Sequence, residues 1–133
     1  MPYFPPNSRD ELLARYAAGE KYFAGMDLDS DMVPDGIIDL SEIILDDSDF
    51  SNCWFTASFR NSSLKRTKFR NANIKTCDFS GADLTDADFQ DAAMEGVTWS
   101  GATLLNTKFG EVRLYGELLS EARFLDLIER ERG

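Results

Sequence analysis

Histidine is absent from all 133 residues. That excludes histidine-based triads, proton relays and imidazole metal centres. Cysteine is scarce: Cys53 and Cys77 are too few for a Cys-rich metal site and are expected as two free, buried thiols. No apolar run comes near the roughly eighteen residues that a membrane-spanning helix needs, so no membrane partner is expected. The start, Met1 to Pro6, has neither the basic region nor the apolar run of a secretory leader, which makes a cytoplasmic location the simplest expectation. No motif calls for a cofactor. Positive charge is in deficit too, with 14 Lys and Arg against 24 Asp and Glu, a net charge of −10.

What is abundant is a five-residue rhythm. Residues 57–116 read ASFRN, SSLKR, TKFRN, ANIKT, CDFSG, ADLTD, ADFQD, AAMEG, VTWSG, ATLLN, TKFGE, VRLYG, twelve fives with a small residue first and a large apolar one third. A helix turns about 100° per residue, so positions five apart drift by about 140° and share no stripe. A straight strand alternates with period two and would turn every second large residue into water. The chain must therefore bend once per five. The first and third residues point inward from an extended piece, and the two that follow make the bend.

A longer period shows how many bends close a coil. Every fourth large residue gives Phe59, Phe79 and Trp99, then Leu64, Leu84 and Leu104, then Phe69, Phe89 and Phe109, then Ile74, Met94 and Leu114. Like sits above like, as in a four-sided solenoid with these residues as its core. The same alternation is also compatible with a plain ten-residue habit. The fives, most clearly Ala82-Asp83-Leu84 and Ala87-Asp88-Phe89, resemble the A(D/N)LXX units of the pentapeptide-repeat family. The resemblance covers roughly Ile38 to Leu114. It implies an all-β solenoid, a right-handed quadrilateral β-helix, in a family that is mostly non-enzymatic. With short helices at both ends, about four to five coils are expected in a single domain.

Ahead of the fives, Ser8 and Glu11 have capping-box spacing, and a helix within residues 8–19 is expected, with Leu12, Leu13, Tyr16 and Ala17 on its apolar side and Gly19 as its stop. Residues 20–37 read as an irregular first coil. Its insert contains Pro34, Asp35 and Gly36, which favour a turn. Asp27, Asp29 and Asp31 have the spacing of the first calcium-loop ligands, but Met32 and Ile38 stand where Gly and Glu belong, which favours a solvated acidic loop. Residues 38–116 form the solenoid. One residue is missing near Thr56, where the step from Phe55 to Phe59 is four, predicting a distorted corner beside an outward-facing Trp54. Residues 117–130 read as a second helix, with Leu118, Ala122, Leu125 and Ile128 on one side. It covers the last coil, either alone or while also forming a homodimer contact.

Charge comes in bands. Residues 26–49 hold nine acids and no base, 58–76 six bases and no acid, and 78–95 six acids and no base. Asp49, Lys68, Asp88 and Lys108 should form an alternating ladder, and Asp47, Arg66 and Asp86 another. The basic residues Arg60, Lys65, Arg66, Lys68, Arg70 and Lys75 encircle the solenoid, which argues against direct nucleic-acid binding. They read as internal pairing or as a docking surface for an acidic partner. The outward carboxylates have no cleft to work in, so no catalytic residue is expected. The candidate interaction surface is Asp29, Asp31, Asp35, Trp54, Arg60, Lys65, Arg66, Arg70 and Lys75, offered to an unidentified protein partner by a binding scaffold. The family resemblance implies an alternative, imitation of duplex DNA on DNA gyrase.

Overall fold

The computed structural model describes residues 2–28 and 36–132, the last two without their side chains. From ASFRN to ATLLN, the fifth residue of each unit has a positive φ, as in Asn61 (57°), Arg66 (59°), Gly81 (70°) and Asp86 (61°). The next residue then donates its N–H back to the large residue, Ser62 to Phe59 at 3.1 Å and Ala82 to Phe79 at 3.0 Å. One positive φ at the third place of a four-residue turn is the type II pattern. The second residue explains the preference for Asp and Asn. Its carboxylate accepts the N–H two residues on, Asp78 from Ser80 at 2.9 Å and Asp88 from Gln90 at 3.0 Å, and so ties strand to corner.

Parallel bridges then stack the units in four ladders. Tyr22, Asp49, Lys68, Asp88 and Lys108 form one; Asp27, Trp54, Asn73 and Ala93 the next; Ile44, Ser63, Asp83 and Thr103 a third. On the fourth, β1 (Ile38–Asp39) pairs with β2 (Ala57–Ser58), and Ser58, Asp78 and Thr98 continue it. Twenty residues separate Ser58 from Asp78, but nineteen separate Ile44 from Ser63. The missing residue thus lies at Thr56, where the corner has no positive-φ residue. Lower down, twenty-seven residues separate Tyr22 from Asp49, so the insert lengthens the first coil without disturbing its rungs.

Inside, the two aromatic columns interlock. Phe59 stacks on Phe79 with centroids 5.1 Å apart and planes 3° from parallel, while Phe69 meets Phe79 edge-on at 5.6 Å and 82°. Side chains twenty apart therefore stack, and those ten apart form T-contacts, both favoured ring geometries. Leu45, Leu64 and Leu84 are buried, as are Phe59, Phe69, Phe79, Phe89, Trp99 and Phe109. Leu104 departs from expectation: it is only half-buried, because no further coil lies above it.

At the first coil, α1 (Arg9–Ala17) starts at Ser8, whose side chain accepts the Glu11 N–H at 3.1 Å. It ends in a Schellman motif: Glu20 N–H reaches Arg15 O at 3.0 Å and Gly19, at φ 99°, reaches Tyr16 O at 2.9 Å. Leu12 is buried with Leu13 and Tyr16 against the core, whereas Ala17 is exposed.

The last unit departs most from the reading. Rungs end at Thr103 and Lys108, and VRLYG makes no further coil. Tyr115 (φ 50°) and Gly116 (φ 80°) are the two positive-φ residues of a type I′ hairpin turn, so β3 (Val112–Leu114) pairs antiparallel with β4 (Glu117–Leu119). Residues expected to open a helix are strand, and α2 runs Glu121–Arg132. Its inner side is Phe124, Ile128 and half-buried Leu125, while Leu118 and Ala122 are exposed. Phe124 meets Phe109 at 4.9 Å and Trp99 at 6.2 Å.

Candidate interaction surfaces

Five of the six bases in the girdle are paired with acids on adjacent coils. Arg66 Nε lies 2.7 Å from Asp47 and its second nitrogen 3.1 Å away, a two-point contact; Arg60 reaches Asp78 at 3.0 Å, Arg70 Asp88 at 3.5 Å, Lys75 Glu95 at 3.8 Å and Lys65 Asp83 at 3.9 Å. Three of these pairs, Arg60–Asp78, Lys65–Asp83 and Arg70–Asp88, run diagonally; the expected corner pair of Asp47 and Arg66 is present, Lys75 sits in column with Glu95, and the expected ladder of Asp49, Lys68, Asp88 and Lys108 forms no ion pairs of its own among the described residues. Lys68 makes no ion pair among the described residues, although Asp49 and Asp88 flank it on its ladder. Hydrogen bonds from Arg66 hold the Asp47 carboxyl below its usual range. At Asp78, burial opposes ionisation, but bonds from Ser80 and Arg60 outweigh it and lower the pKa. Such exposed pairs contribute about 1 kcal/mol or less each and chiefly fix register.

Trp54 faces outward, 63% exposed, between Asp27 and Asn73 on its ladder. Asp29, Asp31 and Asp35, and with them the calcium spacing, lie outside the described residues. Among the described residues no group of acids and cysteines is arranged to hold a metal ion, and no helix is long and apolar enough to cross a membrane. Cys53 and Cys77 are free and buried. Burial pushes both thiols up to about 12, which keeps them protonated and unreactive at neutral pH.

One surface escaped the sequence reading. Where the chain turns away into the β3–β4 hairpin, it leaves an apolar crevice of about 250 Å³ between the coil edge at Met94 and Gly96, the hairpin residues Leu114 and Tyr115, and Leu127 and Ile128 of α2. Tyr115 at its rim is 82% exposed. The signal for it was the Tyr115-Gly116 pair, which fits the fifth-place rhythm and a hairpin turn equally well.

Comparison with known proteins agrees with this geometry. Residues 42–119 match the model of the pentapeptide repeat region. The chain belongs to the pentapeptide-repeat family. Members of this family fold as right-handed quadrilateral β-helices and are generally non-enzymatic structural or binding proteins, and the ladders fit that architecture. No curated protein matches the chain. Among solved structures, it is similar to the pentapeptide repeat protein alr5209 from Nostoc PCC 7120, with 23% identity over 90% of both chains and a TM-score of 0.60. It is also similar to Rfr23 from Cyanothece 51142, at 14% identity over 81% of this chain and 97% of that one, TM-score 0.43. A third is QnrB1, a plasmid-mediated fluoroquinolone resistance protein, at 18% identity over 82% and 96%, TM-score 0.25.

Proposed function

We propose that this pentapeptide-repeat protein is a non-enzymatic scaffold that binds another protein. In this reading it is a solenoid of about four coils, with α1 and α2 as covers. The observation that carries the reading is two large exposed aromatics in the repeat region, Trp54 and Tyr115, on a surface where five of the six girdle bases are already held by acids. Exposed aromatic side chains are the usual anchors of protein interfaces. Quantitative affinity capture with the wild type and with Trp54→Ala and Tyr115→Ala tests it. Captured proteins should be depleted in at least one variant; an unchanged set in both would remove the aromatics from the role. Deleting residues 29–37 asks the same of the acidic insert.

A homodimer through α2 is an arrangement this scaffold allows, and light scattering coupled to size exclusion measures it directly. The second functional reading is a DNA mimic that occupies DNA gyrase. What favours it is charge: a net −10, with the girdle bases other than Lys68 already engaged by acids. A gyrase supercoiling assay separates the two, since the scaffold reading expects neither inhibition nor protection from a quinolone.

A further inference from the structure

On the ladder Asp27, Trp54, Asn73 and Ala93 the next rung is missing. Lower on the same side, Ile74 donates its N–H to Ala93 O at 3.1 Å and Thr76 to Glu95 O at 2.9 Å. The equivalent amides one coil up, Met94 and Gly96, have no backbone acceptor among the described residues, because the segment that would supply it has left for the hairpin. Both residues line the crevice. Its walls, Val97, Trp99, Leu114 and Leu127, are apolar, and its volume of about 250 Å³ has room for a large side chain.

We propose that this edge accepts an extended segment of a partner protein, added parallel to residues 92–96 as one more rung. The backbone template is given by the coils below. Carbonyls two residues apart would accept the Met94 and Gly96 N–H groups, and the side chain between them would enter the crevice above Met94. Main-chain pairing of this kind supplies affinity, and the pocket supplies selectivity. Charge selects the flank. Glu95 stands between the two open amides, already holds Lys75 of the coil below at 3.8 Å, and is followed three units on by Glu111. A basic residue just after the large apolar one would stand in column above Glu95 and reach it from the other side, continuing the Lys75–Glu95 pairing of the coil below. The partner segment is therefore extended, with a large aliphatic residue followed by Lys or Arg. This rests on the protein-binding reading and names the chemistry of one of its surfaces.

The chain itself contains a suitable probe. A synthetic peptide of residues 71–76, Asn-Ala-Asn-Ile-Lys-Thr, blocked at both ends, has the rung pattern of this very ladder with the required base. In a Trp54→Phe protein, Trp99 is the single tryptophan and reports on the crevice. Saturable change in its fluorescence, with slowed hydrogen exchange at Met94 and Gly96, is the expected result. The acidic counterpart, residues 91–96 (Asp-Ala-Ala-Met-Glu-Gly), should bind at least about tenfold more weakly, as should the first peptide to Leu127→Lys, while Leu127→Met retains binding. Leu127 is 42% exposed, so the variant should fold, which its melting temperature checks. No response at millimolar peptide would overturn the proposal. So would protection of Met94 and Gly96 that rises with protein concentration alone, since a second copy would then be the occupant. Neither outcome tests Trp54, which lies two rungs below on the same ladder, so the scaffold reading stands or falls separately by affinity capture of the Trp54→Ala variant.

Discussion

The two ends of the solenoid are chemically opposite, and they are closed by opposite means. Within a unit, the second residue sends its N–H down the column, as Asp88 does to Thr67 at 3.0 Å, while the third and fifth send theirs up, as Phe89 does to Lys108 at 2.7 Å and Asn71 to Gln90 at 3.0 Å. The first coil is thus left rich in carbonyls, the last in amides. Donors close the first: Tyr3 OH bonds Ala24 O at 2.9 Å, Tyr16 OH bonds Asp46 O at 3.0 Å, and Arg9 Nε bonds Asp39 O. An acceptor closes the last: one carboxylate oxygen of Glu121 takes the N–H groups of Phe109 at 2.8 Å and Gly110 at 2.7 Å. The lesson is that a parallel solenoid needs differently charged covers, because its backbone is directional.

The widest gap between the ends should appear when the apolar part of one cover is removed. Phe124→Ala takes a buried ring off Trp99 and Phe109 and is expected to cost about 3 to 5 kcal/mol in chemical denaturation. Next comes the polar closure. Glu121→Ala should cost about 1 to 3 kcal/mol and speed hydrogen exchange at Phe109 and Gly110, leaving amides of the first coil protected. Exchange lost equally at both ends would show that the covers do not act locally. At the opposite end, Ser8→Ala removes the α1 cap for about 1 kcal/mol, and its exchange effects should stay within the first coil.

The smallest expected effect lies between the ends and depends on pH. The Asp47 carboxyl is held low by hydrogen bonds from Arg66. A folded-state pKa below the unfolded value stabilises the fold above about pH 4 and loses that contribution as pH falls through the folded pKa. Arg66→Gln should accordingly lower the urea midpoint slightly at pH 7 and have less effect at pH 3. A gap that widened toward acid would reverse the sign assigned to the pair.

Much of this architecture can be read from the residues because one variable, side-chain size at every fifth place, governs both corner and core. The columns of Phe59, Leu64, Phe69 and Ile74 follow from it, and so does the short corner at Thr56, since a lost residue shifts every later register. Local pattern fails where two geometries share it. VRLYG satisfies the repeat, yet Tyr115 and Gly116 together turn the chain back, which converts expected helix into β4 and leaves Leu104 half covered. The ion pairs were legible only in part. Asp47–Arg66 follows the expected column, but Arg60, Lys65 and Arg70 reach diagonally to Asp78, Asp83 and Asp88, and backbone period does not specify which carboxylate a long side chain takes. The crevice was illegible because it is made by an absent rung.

The positions of α1 on the first coil and α2 on the last have a mechanical consequence. Force applied through the termini acts along the stacking axis and loads the bridges a few at a time, as in a zip, instead of shearing a whole ladder together. Each coil that peels away would free about twenty residues, or about 70 Å of contour at full extension. The protein should therefore lengthen in low, evenly spaced steps when stretched, with its weakest step at whichever cover gives way first.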